Sequence, residues 1–211
     1  MDKMEALIRD FWDHEKKQRG YYLEFLPLFE SNLEGWLKFE LLFIIHESKG
    51  IQKENYKIAD YCREKIIGGK KVDIIVEFEG SEIALLELKC WALEQKGKSH
   101  RLESCWYFQN TSRSKEDLRS LISIGDFPGK NITNRYELFL ASTRYEKKLG
   151  ADRIKEWVRK INNDESKDKK IKPLHTYDYK VELLTNPIKD EPFFYPALFS
   201  LKKNASGRVA E

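Results

Sequence analysis

The sequence predicts a mixed α/β protein, a sheet with helices packed against it. Three observations carry this. Two strongly apolar stretches, residues 71–79 and 82–91, flank a Gly-containing turn and read as a β-hairpin. The stretch NLEGWLKFELLFIIHE, residues 32–47, stands before the hairpin with the length and apolar content of a buried helix. A further strand-like stretch, RYELFLAST at 135–143, follows a helix-start signal in which Ser114 precedes Asp117 by three residues.

The elements follow in order. Met4, Leu7, Ile8, Phe11 and Trp12 recur at helical spacing, so residues 2–18 read as an amphipathic helix ending near Gly20. The helix over 32–47 closes at Gly50. Residues 55–62 alternate weakly and read as a first strand, and the hairpin comes next. Residues 93–110 are polar and irregular around Trp106, Tyr107 and Phe108. Leu118, Leu121 and Ile122 give the helix after Ser114 an inner face. Residues 151–161 read as a helix, the charge run NNDESKDKKIKP at 162–173 as a solvated linker, and Tyr177 to Leu184 as a strand. The aromatic stretch at 193–199 reads as core packing or a dimer contact. The chain is taken as a single domain over 1–211, with a core at about 32–143 and a C-terminal extension over 144–211.

Composition narrows the classes. Hydrophobic residues make up 41% of 211 and charged residues 35%, with a net charge of +3. Such a balance neither demands nor excludes nucleic acid, because a basic face can stand beside an acidic site without moving the total. The three cysteines, Cys62, Cys90 and Cys105, make no CxxC pair and are expected as free thiols. No apolar run approaches the ~20 residues that span a bilayer, and the acid-bearing N-terminus does not read as a secretory signal. The expectation is a cytoplasmic protein with no membrane partner.

The hairpin holds charge where charge is expensive: Asp73 in the first strand, Glu87 and Lys89 in the second. Register decides how they meet. A two-residue loop at Gly80-Ser81 sets Ile74 against Glu87 and Val72 against Lys89, mixing charge into both faces. A three-residue loop, Glu79-Gly80-Ser81, sets Val72 against Leu88, Ile74 against Leu86 and Val76 against Ala84, and leaves one face wholly apolar. A buried face selects register strongly, and three-residue hairpins favour Gly in the left-handed position, so the second register is expected. It sets Asp73 opposite Glu87, with Cβ atoms about 5 Å apart, and Lys89 two residues on. Facing like charges destabilise a sheet. Removing one acid is therefore expected to leave the metal-free protein slightly more stable, and a divalent cation to reverse the sign. Mg²⁺ takes oxygen ligands and is commonly held by one or two carboxylates plus substrate phosphate. The competing reading is a partly exposed sheet face on which a lysine links two acids.

Asp73 followed by Glu87-Leu88-Lys89 on the next strand resembles the PD-(D/E)xK nuclease superfamily, the restriction-endonuclease-like fold. That family's αβββαβ core follows the element order expected here from about residue 32 to 143. Val72 stands where the family name has proline. The resemblance implies that Asp73 and Glu87 hold Mg²⁺ (or Mn²⁺), that the Leu88 carbonyl adds a ligand, and that Lys89 positions the attacking water. It also implies an acid on the preceding helix. Glu40, in GWLKFELL, matches best; Glu34 and Glu47 lie nearer the helix ends. The function implied is a metal-dependent nuclease hydrolysing phosphodiester bonds, with DNA the expected substrate, of endonuclease, restriction or defence type. It would act as a homodimer or as a subunit of a larger defence complex. An RNA-cleaving effector and a non-catalytic module that binds nucleic acid or protein are the alternatives.

Gln109 reads as a polar loop residue. Lys70 and Lys71 stand at a strand entry where a lysine can touch phosphate or simply face solvent. His14, His46, His100 and His175 are dispersed and read as structural or surface residues. The Lys-rich run at 167–172 can add affinity for a phosphate backbone, with a solvated linker as the default. No nucleophile-elbow, P-loop or dinucleotide motif is present.

Overall fold

The computed structural model describes residues 2–25, 33–67, 69–92, 132–142, 159, 177–184 and 194–203. Helix α1, Lys3–Phe25, begins on a side-chain cap: Asp2 Oδ1 accepts the Met4 and Glu5 backbone N–H groups at 3.0 and 3.2 Å. The expected apolar stripe, Met4, Leu7, Ile8, Phe11 and Trp12, is buried. The helix does not end near Gly20 but continues to Phe25. One interior Gly costs only about 1 kcal/mol relative to Ala, and the stronger breaker, Pro27, lies beyond.

Helix α2, Leu33–Ser48, matches the expected span, and Gly50 follows it at φ 76. It is not buried all round. Leu37, Leu41, Ile44 and Ile45 face inward, while Phe39 and Phe43 are 68% and 46% exposed.

Among the described residues, six strands form one mixed sheet in the order β1-β2-β3-β4-β6-β5. They are β1 Ile58–Ile67, β2 Lys70–Phe78, β3 Glu82–Ala92, β4 Ile132–Ser142, β5 Tyr177–Leu183 and β6 Phe194–Lys203. Neighbours run antiparallel except β3 and β4, which are parallel. A parallel pair needs a long crossover, for which 93–131 supplies the chain length. The helix expected after Ser114 lies outside the described residues. So does the charge run at 162–173, and of the helix expected over 151–161 only Arg159 is described, as helical.

The β2–β3 hairpin has the expected register. Ile74 pairs with Leu86 and Val76 with Ala84, and the turn places Gly80 at φ 90 and Ser81 at φ 65. Alternation puts Ile74, Val76, Phe78, Ala84, Leu86 and Leu88 in one core with the inner faces of α1 and α2. Tyr136 of β4 joins them, and its hydroxyl donates to Asp2 at 2.8 Å, which ties the start of α1 to the sheet. A Cβ on Gly80 would meet nothing within 4 Å, so Gly80→Ala tests conformation alone. It should lower stability by about 1 kcal/mol in a urea titration.

β1 runs 58–67 instead of 55–62, with every residue after Ile58 at least partly exposed. An edge strand wet on most of its length leaves only weak alternation. β6 was not expected as a strand, because Pro192 and Pro196 interrupt its stretch and proline belongs at edges. Its position explains the tolerance. The Leu184 N–H donates to the Pro196 carbonyl at 2.9 Å, so the proline nitrogen, on the same side as its carbonyl, faces the end of β5. The β4–β6 ladder loses no donor. Among the described residues no helix is long and apolar enough to cross a membrane.

Candidate functional site

The site grows from the end of the hairpin ladder. β2 and β3 pair from Phe78–Glu82 to Ile74–Leu86, and one step further in that register Asp73 stands opposite Glu87. There a side chain takes over from the backbone: the Leu88 N–H donates to Asp73 Oδ2 at 3.0 Å. The other oxygen, Oδ1, lies 2.6 Å from Nζ of Lys38 on α2. Asp73 is 8% exposed, and both its oxygens are engaged.

Lys38 is shared. Its Nζ lies 3.1 Å from Oε1 of Glu64 on β1, and Lys71 Nζ lies 3.3 Å from the same oxygen. Glu64 falls between the pairs Arg63–Ile74 and Lys65–Val72, across from Asp73, and it takes φ 50, a left-handed conformation that non-glycine residues seldom hold. Lys71, weighed above as a phosphate contact or a solvent-facing residue, joins this network.

On β3, Lys89 Nζ lies 3.0 Å from Glu87 Oε1, as expected for residues two apart on one strand face. Beside Glu87, in register on β4, stands Glu137, fully buried. The reading of RYELFLAST as a strand did not single out this residue. Its signal matched that of Glu87: a lone Glu inside an apolar strand.

Glu40 is 5% exposed. It lies with Leu37, Leu41 and Ile44 along the buried stripe of α2, while Lys38 is about 200° away on the helix wheel and flanks the stripe on the other side. Glu34 lies near the far end of the motif strand. Burial, and after it the Glu34 charge, push the Cys90 thiol above its ordinary value, against the opposing pull of Lys89. Cys90 and Cys62 are free thiols. His46 is exposed, with Nδ1 2.9 Å from the Tyr61 hydroxyl oxygen. Gln109, His100, His175, Cys105 and the lysines of 167–172 lie outside the described residues.

The titration of this network has a definite sign. Burial pulls the Lys38 ammonium down, but its hydrogen bonds to Asp73 and Glu64 outweigh that, so its pKa lies above the ordinary 10.5. Its contribution to stability is present below pH 10.5 and fades as pH rises through the raised value. The hydrogen bond from Lys38, then that from Lys71, holds Glu64 below the ordinary 4.5. That contribution is present above pH 4.5 and is lost as pH falls through the depressed value. Urea midpoints of the parent and Glu64→Gln should therefore differ at neutral pH and converge on acidification. A gap that persists in acid would place the effect elsewhere.

The donor set is all oxygen: the Asp73 and Glu87 carboxylates, with the Leu88 carbonyl between them in sequence. Among the described residues, no three His, Cys, Asp or Glu side chains are grouped so as to hold one ion. A carboxylate pair that leaves positions for water and phosphate nevertheless suits Mg²⁺. The positive charge such an ion would bring is supplied here by the Lys38 and Lys89 ammonium groups. No family model, curated protein or solved structure matches the chain. What fold and site define is a mixed α/β protein that buries one carboxylate among lysines where a β-hairpin ladder ends.

Proposed function

We propose that the chain is a metal-dependent nuclease of restriction-endonuclease-like fold that hydrolyses phosphodiester bonds, with DNA as its substrate. The supporting observation is the placement of buried Asp73 and of Glu87-Leu88-Lys89 on adjacent strands in a single register. Asp73 and Glu87, with the Leu88 carbonyl, would hold Mg²⁺ or Mn²⁺, and Glu40, which is not grouped with them in the metal-free protein, would have to move in from α2 to complete the site. When bound, such a cation supplies Lewis acidity and an activated water.

The chain's own groups do the rest. The Leu88 N–H fixes the direction of the Asp73 carboxylate. Lys89, held 3.0 Å from Glu87, orients the water and offsets charge that develops on the phosphate. Lys71, an exposed lysine at the strand entry, adds a cation for the backbone of the nucleic acid. The assembly is a homodimer or a subunit of a larger defence complex, and the setting is the cytoplasm.

One observation favours a second reading, a non-catalytic binding module on the same fold: the Asp73 and Glu87 carboxylates already hold lysines. Incubation with plasmid DNA, single-stranded DNA and RNA, each with Mg²⁺, Mn²⁺ or a chelator, separates the two. Cleavage that needs metal and stops with chelator supports the nuclease, and the preferred substrate distinguishes a DNase from an RNA-cleaving effector. Folded protein that cuts none of the three with either metal would favour the module.

A further inference from the structure

Asp73 has one oxygen, Oδ1, that is not held by the sheet backbone, since Oδ2 is committed to the Leu88 N–H of β3. That oxygen holds Lys38 Nζ at 2.6 Å. A divalent cation bound to it would sit at about 2.1 Å, and its charge would repel the ammonium on the same oxygen and weaken that ion pair. Lys38 has somewhere to go. Its Nζ already lies 3.1 Å from Glu64 Oε1, so a tilt of a flexible four-carbon stem exchanges one partner for the other without stranding the charge. Glu64 faces this lysine from a left-handed backbone conformation in mid-strand, φ 50. Strain of that kind persists where the surroundings require it and clusters at clamps and switches.

We infer that Lys38 is a built-in competitor for the cation site, occupying Asp73 Oδ1 in the metal-free protein and withdrawing to Glu64 when a divalent cation binds. This rests on the metal-site reading above and adds its regulation. Lys38 keeps the buried aspartate neutralised while metal is absent and raises the metal concentration at which the site fills. Glu64 is a positioning residue that acts through Lys38.

Calorimetric titration with Mn²⁺ alone, on the full chain and without nucleic acid, tests this. Variants are Lys38→Met, which keeps the aliphatic stem, Glu64→Gln, and the double substitution. An ion pair of this kind is worth up to about 1 kcal/mol, so Lys38→Met should bind Mn²⁺ about fivefold tighter. Glu64→Gln leaves Lys38 with Asp73 alone and should bind about fivefold weaker. The double variant should match Lys38→Met, because Glu64 has no role once the lysine is gone. Glu64→Gln retains the Lys38–Asp73 pair, so it carries the test if Lys38→Met folds poorly by circular dichroism.

Parent binding with Lys38→Met no tighter would overturn the competitor and leave the metal site standing. Equal weakening by Glu64→Gln with and without Lys38 would overturn the withdrawal step, since Glu64 would then act through its own charge. No binding by parent and by Lys38→Met would remove the metal site and the competitor together.

Discussion

If the proposed nuclease reading holds, Asp73→Ala is expected to lose about a thousandfold or more in cleavage rate, the loss of several kcal/mol of transition-state stabilisation through one metal ligand. It is also expected to destabilise the metal-free protein by about 2 kcal/mol. The second effect reverses what the facing acids alone suggest. Two carboxylates set opposite each other repel, and deleting one should relieve the sheet. Here Asp73 also neutralises Lys38 and accepts the Leu88 N–H. Its removal leaves Lys38 with Glu64 alone and leaves a buried strand donor without its acceptor, and those losses outweigh the repulsion.

Asp73→Asn separates the terms. Its amide oxygen can still accept from Leu88 while the charge is gone, so its stability should lie between that of the parent and Asp73→Ala, with cleavage equally lost. Urea denaturation without metal reads the stability, and initial rates on the preferred nucleic acid read the activity. An Asp73→Ala protein as stable as the parent would show that the Lys38 and Leu88 contacts do not outweigh the repulsion in solution. One that keeps full activity would remove Asp73 from the site.

What could be read from residues alone follows physical lines. The hairpin was legible because one face of β2 and β3 is wholly apolar, and a slip by one residue would drive Glu87 and Lys89 into the core. β4 was legible from Tyr136, Leu138 and Leu140, alternate residues that share one face. β6 was hidden by Pro196, whose missing donor is harmless only because β5 ends beside it, a tertiary fact that no local pattern contains.

The helix contribution to the site was half legible. Glu40 stood out as an acid in an apolar run, and it is buried as that suggests. Lys38, two residues earlier in the same run, was not singled out. A pattern apolar nearly all round does not fix how a helix is rotated, so it could not show which polar side chain would meet β2. Glu137 was overlooked for another reason. Its partner across the ladder, Glu87, belongs to a parallel neighbour joined through 93–131, and parallel register has no short turn from which to be derived.

Metal should stabilise the parent, and that response is what now separates the readings. Any ligand that prefers the folded state raises its stability, by about 2.7 kcal/mol at a hundred times the dissociation constant. For a chain of this size that corresponds to a rise in Tm of about 5–10 °C. The parent should show this rise with Mg²⁺ or Mn²⁺ and lose it with chelator, and Asp73→Ala should show none. Lys89→Ala should keep the rise while losing cleavage, because in the proposed mechanism its ammonium would act on water or phosphate, and removing a cation beside Glu87 does not weaken metal binding. The loss of stability in metal-free Asp73→Ala carries no information on this point: a plain ion-paired sheet face predicts it as well. Such a face predicts no metal response in any of the three proteins. A parent melt unmoved by saturating Mg²⁺ and Mn²⁺ would therefore count against the catalytic site even if the fold, the register and every ion pair around Asp73 are as described.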